Sequence, residues 1–171
     1  AKAKIQAEYE PEKAEAIITY LALVLDRCVD RNARLCIWDS GRSHAQRATT
    51  QHSLNLMWNY PEFSGRGELW NACSDAVIKD YQALCQYLGT KSHSIQLQEL
   101  EKYDSKSIQI NATSADSLFH IPDNSVDTIV TDPPYYATIQ YAEISDFFYV
   151  WQKRILDDIF PELFLTELTD K

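Results

Sequence analysis

Asp132-Pro133-Pro134-Tyr135 puts a carboxylate, free backbone carbonyls and an aromatic ring into four consecutive residues. Neither proline has an N–H to donate, so the run cannot continue a β-ladder. A residue before proline is held extended, so Asp132 continues the direction of whatever precedes it. A carboxylate and a carbonyl are both acceptors, and together they can hold the two hydrogens of an amino group. Tyr135 can stack on a flat ring that carries that group. Such an amino group is a weak nucleophile because its lone pair is delocalised into the ring. Acceptors at its hydrogens favour rehybridisation towards sp³ and free the lone pair, which is catalysis by electrostatic positioning. Asp-Pro-Pro is also a good turn, and the four residues alone leave both readings open.

The stretch before the motif has the character of a buried strand. Val126, Ile129 and Val130 are apolar and β-branched, and Thr128 and Thr131 are β-formers. Asp132 then falls at the carboxyl end of the strand, the edge where open α/β sheets bind ligands. Ser107 to Asn111 alternates as a second strand, Asn111 to Asp116 turns out of it, and Ser117-Leu118-Phe119 suits one helical turn. Ile121 to Asn124 reads as a turn. Two strands joined across a short helical segment suggest part of a parallel α/β sheet. After a loop from Tyr136 to Tyr141, a helix from Ala142 to about Leu156 carries Ile144, Phe148, Trp151 and Ile155 along one face, until Pro161 breaks the pattern.

The N-terminal part is expected to be helical. Residues 1–10 are polar and expected to be poorly ordered. A helix opens at Pro11 and extends to about Asn32, with Ile17, Leu21, Val24 and Cys28 as its apolar stripe and Ile18 and Leu25 widening it. Asp26, Arg27, Asp30 and Arg31 are read as a solvated face, with a phosphate contact from Arg27 or Arg31 as the alternative. Leu35 to Trp38 is a short apolar run before the turn signal Asp39-Ser40-Gly41-Arg42. Arg42, His44 and Arg47 form a small basic cluster, read as surface loop in preference to a nucleic-acid phosphate contact. Leu54 to Trp58 reads as a short helix or strand. The second clear helix runs from Glu68 to Leu88, with Leu69, Trp70, Cys73, Val77, Tyr81, Leu84 and Leu88 on one face and Gly89 as its stop. The two long helices suit an antiparallel hairpin. The expected division is a mainly helical segment over 1–100, with helices near 12–32 and 68–88, and part of an α/β domain over 101–171.

Composition bounds the rest. The chain has 171 residues, enough for one good-sized core, and its scarce glycine favours helices over loop-rich β structure. A net charge of −9 is a poor match to a stand-alone nucleic-acid binder, although a local basic surface is compatible with it. Cys28, Cys36, Cys73 and Cys85 form no C-x-x-C pair, which suggests free thiols and a reducing cytoplasm. No His-x-x-x-His or Glu-x-x-His spacing occurs, so no metal site is expected. No charged-then-apolar leader opens the chain, and no apolar run is long enough for a bilayer, so neither secretion nor membrane insertion is expected.

Val126 through Tyr135 resembles motif IV of the amino-methyltransferases that modify adenine N6 or cytosine N4, and Asp-Pro-Pro-Tyr leans towards adenine. With Tyr136 and Tyr141-Ala142-Glu143-Ile144-Ser145-Asp146-Phe147-Phe148-Tyr149-Val150-Trp151, the stretch is similar to the large adenine-specific DNA methylases that also carry a zinc ribbon. Tyr20 to Arg27 and Trp58-Asn59-Tyr60-Pro61-Glu62 resemble the segment upstream of motif IV in that family. The resemblance implies a partial Rossmann-like methyltransferase sheet of about two strands with long flanking helices. It implies transfer of a methyl group from S-adenosylmethionine to an exocyclic base amino group of DNA. Asp132, Pro133, Pro134 and Tyr135 would be the catalytic residues. Asp116 would contact the adenine of the cofactor, with a turn-stabilising aspartate as the alternative. Ala137 stands where the family pattern has an acidic residue. The zinc ribbon, the later strands and the glycine-rich, Phe-x-Gly-x-Gly-like motif I of full members are not recognised. An internal fragment, inactive alone, or one part of a split enzyme completed by a second polypeptide is therefore expected. The competing reading is a non-catalytic helical interaction domain in which Asp-Pro-Pro-Tyr is only a turn.

Overall fold

Pro11 sits at the first turn of a helix, where its missing N–H is not needed, and the alanine- and leucine-rich sequence behind it sustains the helix for 19 residues. In a computed structural model that describes residues 1–64, 67–87, 109–111, 114–133, 135 and 138–169, this helix is α2, Pro11–Val29. It follows a short α1, Lys2–Glu8, which forms where disorder was expected. The strands β1, Trp38–Asp39, and β2, His44–Ala45, come next. The helices α3, Glu68–Tyr87, and α4, Tyr141–Leu156, follow, and a 3-10 turn spans Pro161–Leu163. The described residues are thus mostly helical, and the one sheet among them is this antiparallel pair, with Trp38 opposite Ala45 and Asp39 opposite His44.

The chain divides into two compact units, Ala1–Lys79 with Tyr136–Lys171, and Asp80–Tyr135. In the first, α2 is central. Ile18 and Ala22 pack with Leu156 at the end of α4 and with Phe164 beyond it, and Ile5, Tyr149, Ile155, Ile159 and Phe160 close the cluster. Complete burial of a side chain such as Ile18 contributes about 2 kcal/mol. A second cluster joins α2 to the first half of α3 through Val24, Leu69, Cys73 and Val77, flanked by Tyr20 and Cys28. The long helices therefore meet through their side chains. Burial and the neighbouring Cys73 thiol push the Cys28 thiol up to about 12, which makes it an inert core group.

Polar ties fix α4. Lys2 Nζ donates to the Ile155 carbonyl at 2.6 Å and pairs with Asp158, placing a cation at the negative end of the helix. Gln152 donates to Asp26 of α2. The tail folds back along the helix. Thr169 N–H and Oγ1 donate to Asp146 Oδ1 at 2.9 and 2.6 Å, and Tyr149 OH donates to the Thr166 carbonyl at 2.8 Å.

The second unit departs from expectation. No strand forms at Val126–Thr131, where Ile129 is 78 % and Val130 91 % exposed. β-branching gives a local preference, but a strand exists only when a neighbour completes its ladder, and no such neighbour occurs among the described residues. Of the strand expected at Ser107–Asn111, Gln109 to Asn111 are irregular and exposed and the rest lies outside the described residues. The helical turn expected at Ser117–Phe119 is absent, and a Rossmann-like sheet is not formed by the described residues. The turn at Ile121–Asn124 is present. Asn124 takes a left-handed φ of 57°, and Ser125 Oγ donates to the Pro122 carbonyl at 2.6 Å.

Candidate functional site

Asp132, Pro133 and Tyr135 lie in irregular, exposed chain, and Pro134 lies outside the described residues. The two prolines account for the irregularity, since the segment can neither donate to a ladder nor enter a helix. Tyr135 is 61 % exposed. Among the described residues, the side chains of Asp132 and Tyr135 have no hydrogen-bond or ion-pair partner. An acceptor carboxylate, an acceptor carbonyl at Pro133 and an aromatic face are thus all accessible. Asp116 is exposed within a turn that Ser117 N–H closes onto the Ser114 carbonyl at 3.3 Å. No hydrogen bond or ion pair among the described residues links it to the Asp132 segment.

The basic cluster at Arg42, His44 and Arg47 is split by the hairpin. Asp39 organises the connection, accepting from the Arg42 N–H at 3.1 Å and from Gln46 Nε2 at 3.1 Å. These donors, Gln46 first, hold its carboxyl below the usual carboxylate range. Arg47 turns instead to Asp30, with Nε 3.7 Å from Oδ2. The phosphate-contact alternatives for Arg27, Arg31 and Arg47 come together here, because all three line one cleft with Asp30. Sequence reading kept them apart, and the signal it lacked was the return of the chain after β2, where Ala48 N–H donates to the Asp30 carbonyl at 2.7 Å. Leu54 to Trp58 is neither helix nor strand. Beyond it, Tyr60 to Phe63 and Asn32 to Arg34 border a cleft of about 450 Å³. Asn32 clamps its edge by accepting from Phe63 N–H at 3.0 Å and donating to the Phe63 carbonyl at 3.3 Å.

One run passed over in the sequence bears on S-adenosylmethionine. Phe63-Ser64-Gly65-Arg66-Gly67 spells Phe-x-Gly-x-Gly directly ahead of α3. Gly67 takes a φ of +88°, a conformation suited to glycine, but the preceding residues 54–64 are irregular and form no strand. A nucleotide-binding glycine turn needs that strand to aim the helix N-terminus at the ligand. The spelling is present without the strand–turn–helix context, so the described residues do not fit the cofactor. Among them, no group of three or more His, Cys, Asp or Glu residues comes together as metal ligands, and no helix is long and apolar enough to cross a membrane. No protein-family model, curated protein or solved structure matches the chain.

Proposed function

We propose that the chain carries the base-holding element of an S-adenosylmethionine-dependent DNA methyltransferase acting on an exocyclic amino group, adenine N6 in preference to cytosine N4. The observation that carries this reading is Asp132-Pro133-Pro134-Tyr135 itself, in its motif IV-like setting from Val126 to Trp151. Accessibility supports it, because the carboxylate of Asp132 and the ring of Tyr135 are both exposed. A base taken out of the duplex would stack on Tyr135, with its amino hydrogens shared between Asp132 and the Pro133 carbonyl. Both acceptors pull the amino nitrogen towards sp³ and turn its lone pair towards an incoming electrophile. Asp132 stabilises the positive charge that builds on the nitrogen. The methyl donor belongs to a part of the enzyme that the described residues do not build, and we assign that part to a partner polypeptide or a further segment.

The test is Asp132→Ala in the enzyme reconstituted with its donor-binding part. Methyl transfer should fall on the order of 100-fold or more with an unchanged melting temperature. The purified chain alone should transfer no label from S-adenosylmethionine to duplex DNA. Full activity of the Asp132→Ala enzyme would leave the motif as a turn in a non-catalytic helical interaction domain.

A further inference from the structure

The cleft between residues 32–34 and 60–63 lies within the first compact unit, and hydrogen bonds tie its two walls together. Asn32 engages both backbone groups of Phe63, and Met57 N–H donates to the Arg34 carbonyl at 2.9 Å. The volume of about 450 Å³ falls within the usual range of small-molecule sites.

The side chains that border it offer a donor, an acceptor and aromatic faces. The Cζ of Arg34 lies 5.3 Å from the centroid of the Tyr60 ring. A guanidinium on a ring is held by its face and keeps the N–H groups along its edge for a ligand. Phe63 adds a second ring, 39 % exposed, on a backbone that Asn32 fixes. Glu62 is exposed, and its carboxylate is an acceptor with no hydrogen-bond or ion-pair partner among the described residues. Arg34 makes no ion pair among them either, so the donor fork and the carboxylate do not satisfy each other.

A flat ring with paired acceptors on one edge and paired donors on the next matches this set. Among the nucleobases that ring is guanine. Its O6 and N7 are the acceptors that an arginine fork takes together. Its N1–H and 2-amino group are parallel donors that a carboxylate takes with both oxygens. Adenine and cytosine offer a carboxylate only their amino group, and thymine and uracil only one ring N–H. Base pairing consumes the N1–H and the amino group, so the match requires an unpaired base.

We propose that this cleft binds an unpaired guanine base, stacked on Phe63, with Arg34 on its O6 and N7 and Glu62 on its N1–H and 2-amino group. The base comes from a free guanine nucleotide or from a single strand of nucleic acid. Recognition falls on the base and not on phosphate, so the net charge of −9 is no obstacle. This site does not rest on the reading under Proposed function.

The experiment titrates guanosine monophosphate, guanosine, and the adenosine, cytidine and uridine monophosphates into the whole chain, following backbone amides and the Arg34 Nε resonance by NMR. We expect shifts centred on residues 32–34 and 60–63. Guanosine should bind within about threefold of its monophosphate, and the other nucleotides at least about fivefold more weakly. Glu62→Gln breaks no side-chain bond among the described residues and should weaken guanosine about 10-fold. The ranking of bases on the unaltered chain tests the proposal even where a variant fails to fold. Equal affinity for the four nucleotides, or unchanged guanosine affinity in Glu62→Gln, overturns guanine as the ligand. No shift at these residues with millimolar guanosine monophosphate overturns the site. A thymidine strand of about ten nucleotides with one central guanine separates the sources. Binding at least as tight as that of the free nucleotide supports a single-strand site, and weaker binding supports a site for the free nucleotide.

Discussion

Asp26 keeps a carboxylate half-buried against α4, with Oδ2 accepting from Gln152 and Oδ1 without a hydrogen-bond partner among the described residues. Burial raises its pKa above 3.8, and the hydrogen bond from Gln152 only partly opposes the rise. An acid whose folded pKa is raised favours the folded state while protonated. That contribution is complete below the unfolded value near 3.8 and is lost as pH rises through the folded value. Asp26→Asn keeps an acceptor for Gln152 and removes the charge. It should stabilise the chain at pH 7 by on the order of 1 kcal/mol. The gain should shrink as pH falls towards 4, and urea denaturation of both proteins at several pH values measures it. A gain that is flat with pH would mean that the charge of Asp26 is not the source. Single residues were legible in the sequence where their chemistry is local. Asn124 and Asp39 signalled turns that formed. Arg31 and Arg47 were not legible as a pair, because their neighbourhood depends on the path of the chain between them.

Helices were the most legible elements because their period is written in the local sequence. α3 starts at Glu68 as expected and is helical through Tyr87, with the expected Leu88 end and Gly89 stop outside the described residues, and the bounds of α4 lie within one residue of the expected ones. Which face is buried was less legible. The expected stripe of α2, Ile17, Leu21, Val24 and Cys28 widened by Ile18 and Leu25, contains the buried Val24 and Ile18, but it left out Ala14 and Ala22, which are buried too, while Ile17 and Leu21 are only partly buried. Small residues let neighbouring elements approach the backbone of α2, so alanines define the closest contacts. The half of α3 beyond Lys79 shows the converse, with Tyr81 and Leu84 about half exposed despite their place on its apolar face. The cluster of Ile18, Ala22, Leu156 and Phe164 predicts that Phe164→Ala costs about 3 kcal/mol, read as a lower urea midpoint at constant slope. A cost below about 0.5 kcal/mol would show that the segment after α4 does not hold the core.

Across the whole molecule, order is unevenly distributed. Between residues 114 and 133, the described backbone bonds outside regular elements are Ser117 N–H to Ser114 and Ile121 N–H to Leu118, whereas α2 is hydrogen-bonded throughout its core. Amides of residues 126–131 should therefore exchange within about tenfold of their unprotected rates, while those of Ile18 to Val24 approach the protection set by global unfolding. Hydrogen exchange followed by mass spectrometry resolves the two. Protection of 126–131 equal to that of α2 would reveal a ladder. The link between Asp26 and Gln152 also spans 126 residues of sequence. A ribosome takes roughly 6 to 25 seconds to make that much chain. Throughout that interval the newborn α2 waits with Ile18 and Ala22 bare, because Leu156 and Phe164 have yet to be synthesised. A nascent chain stalled just after Tyr135 would hold the complete motif and an uncovered core, the form a chaperone would seize first.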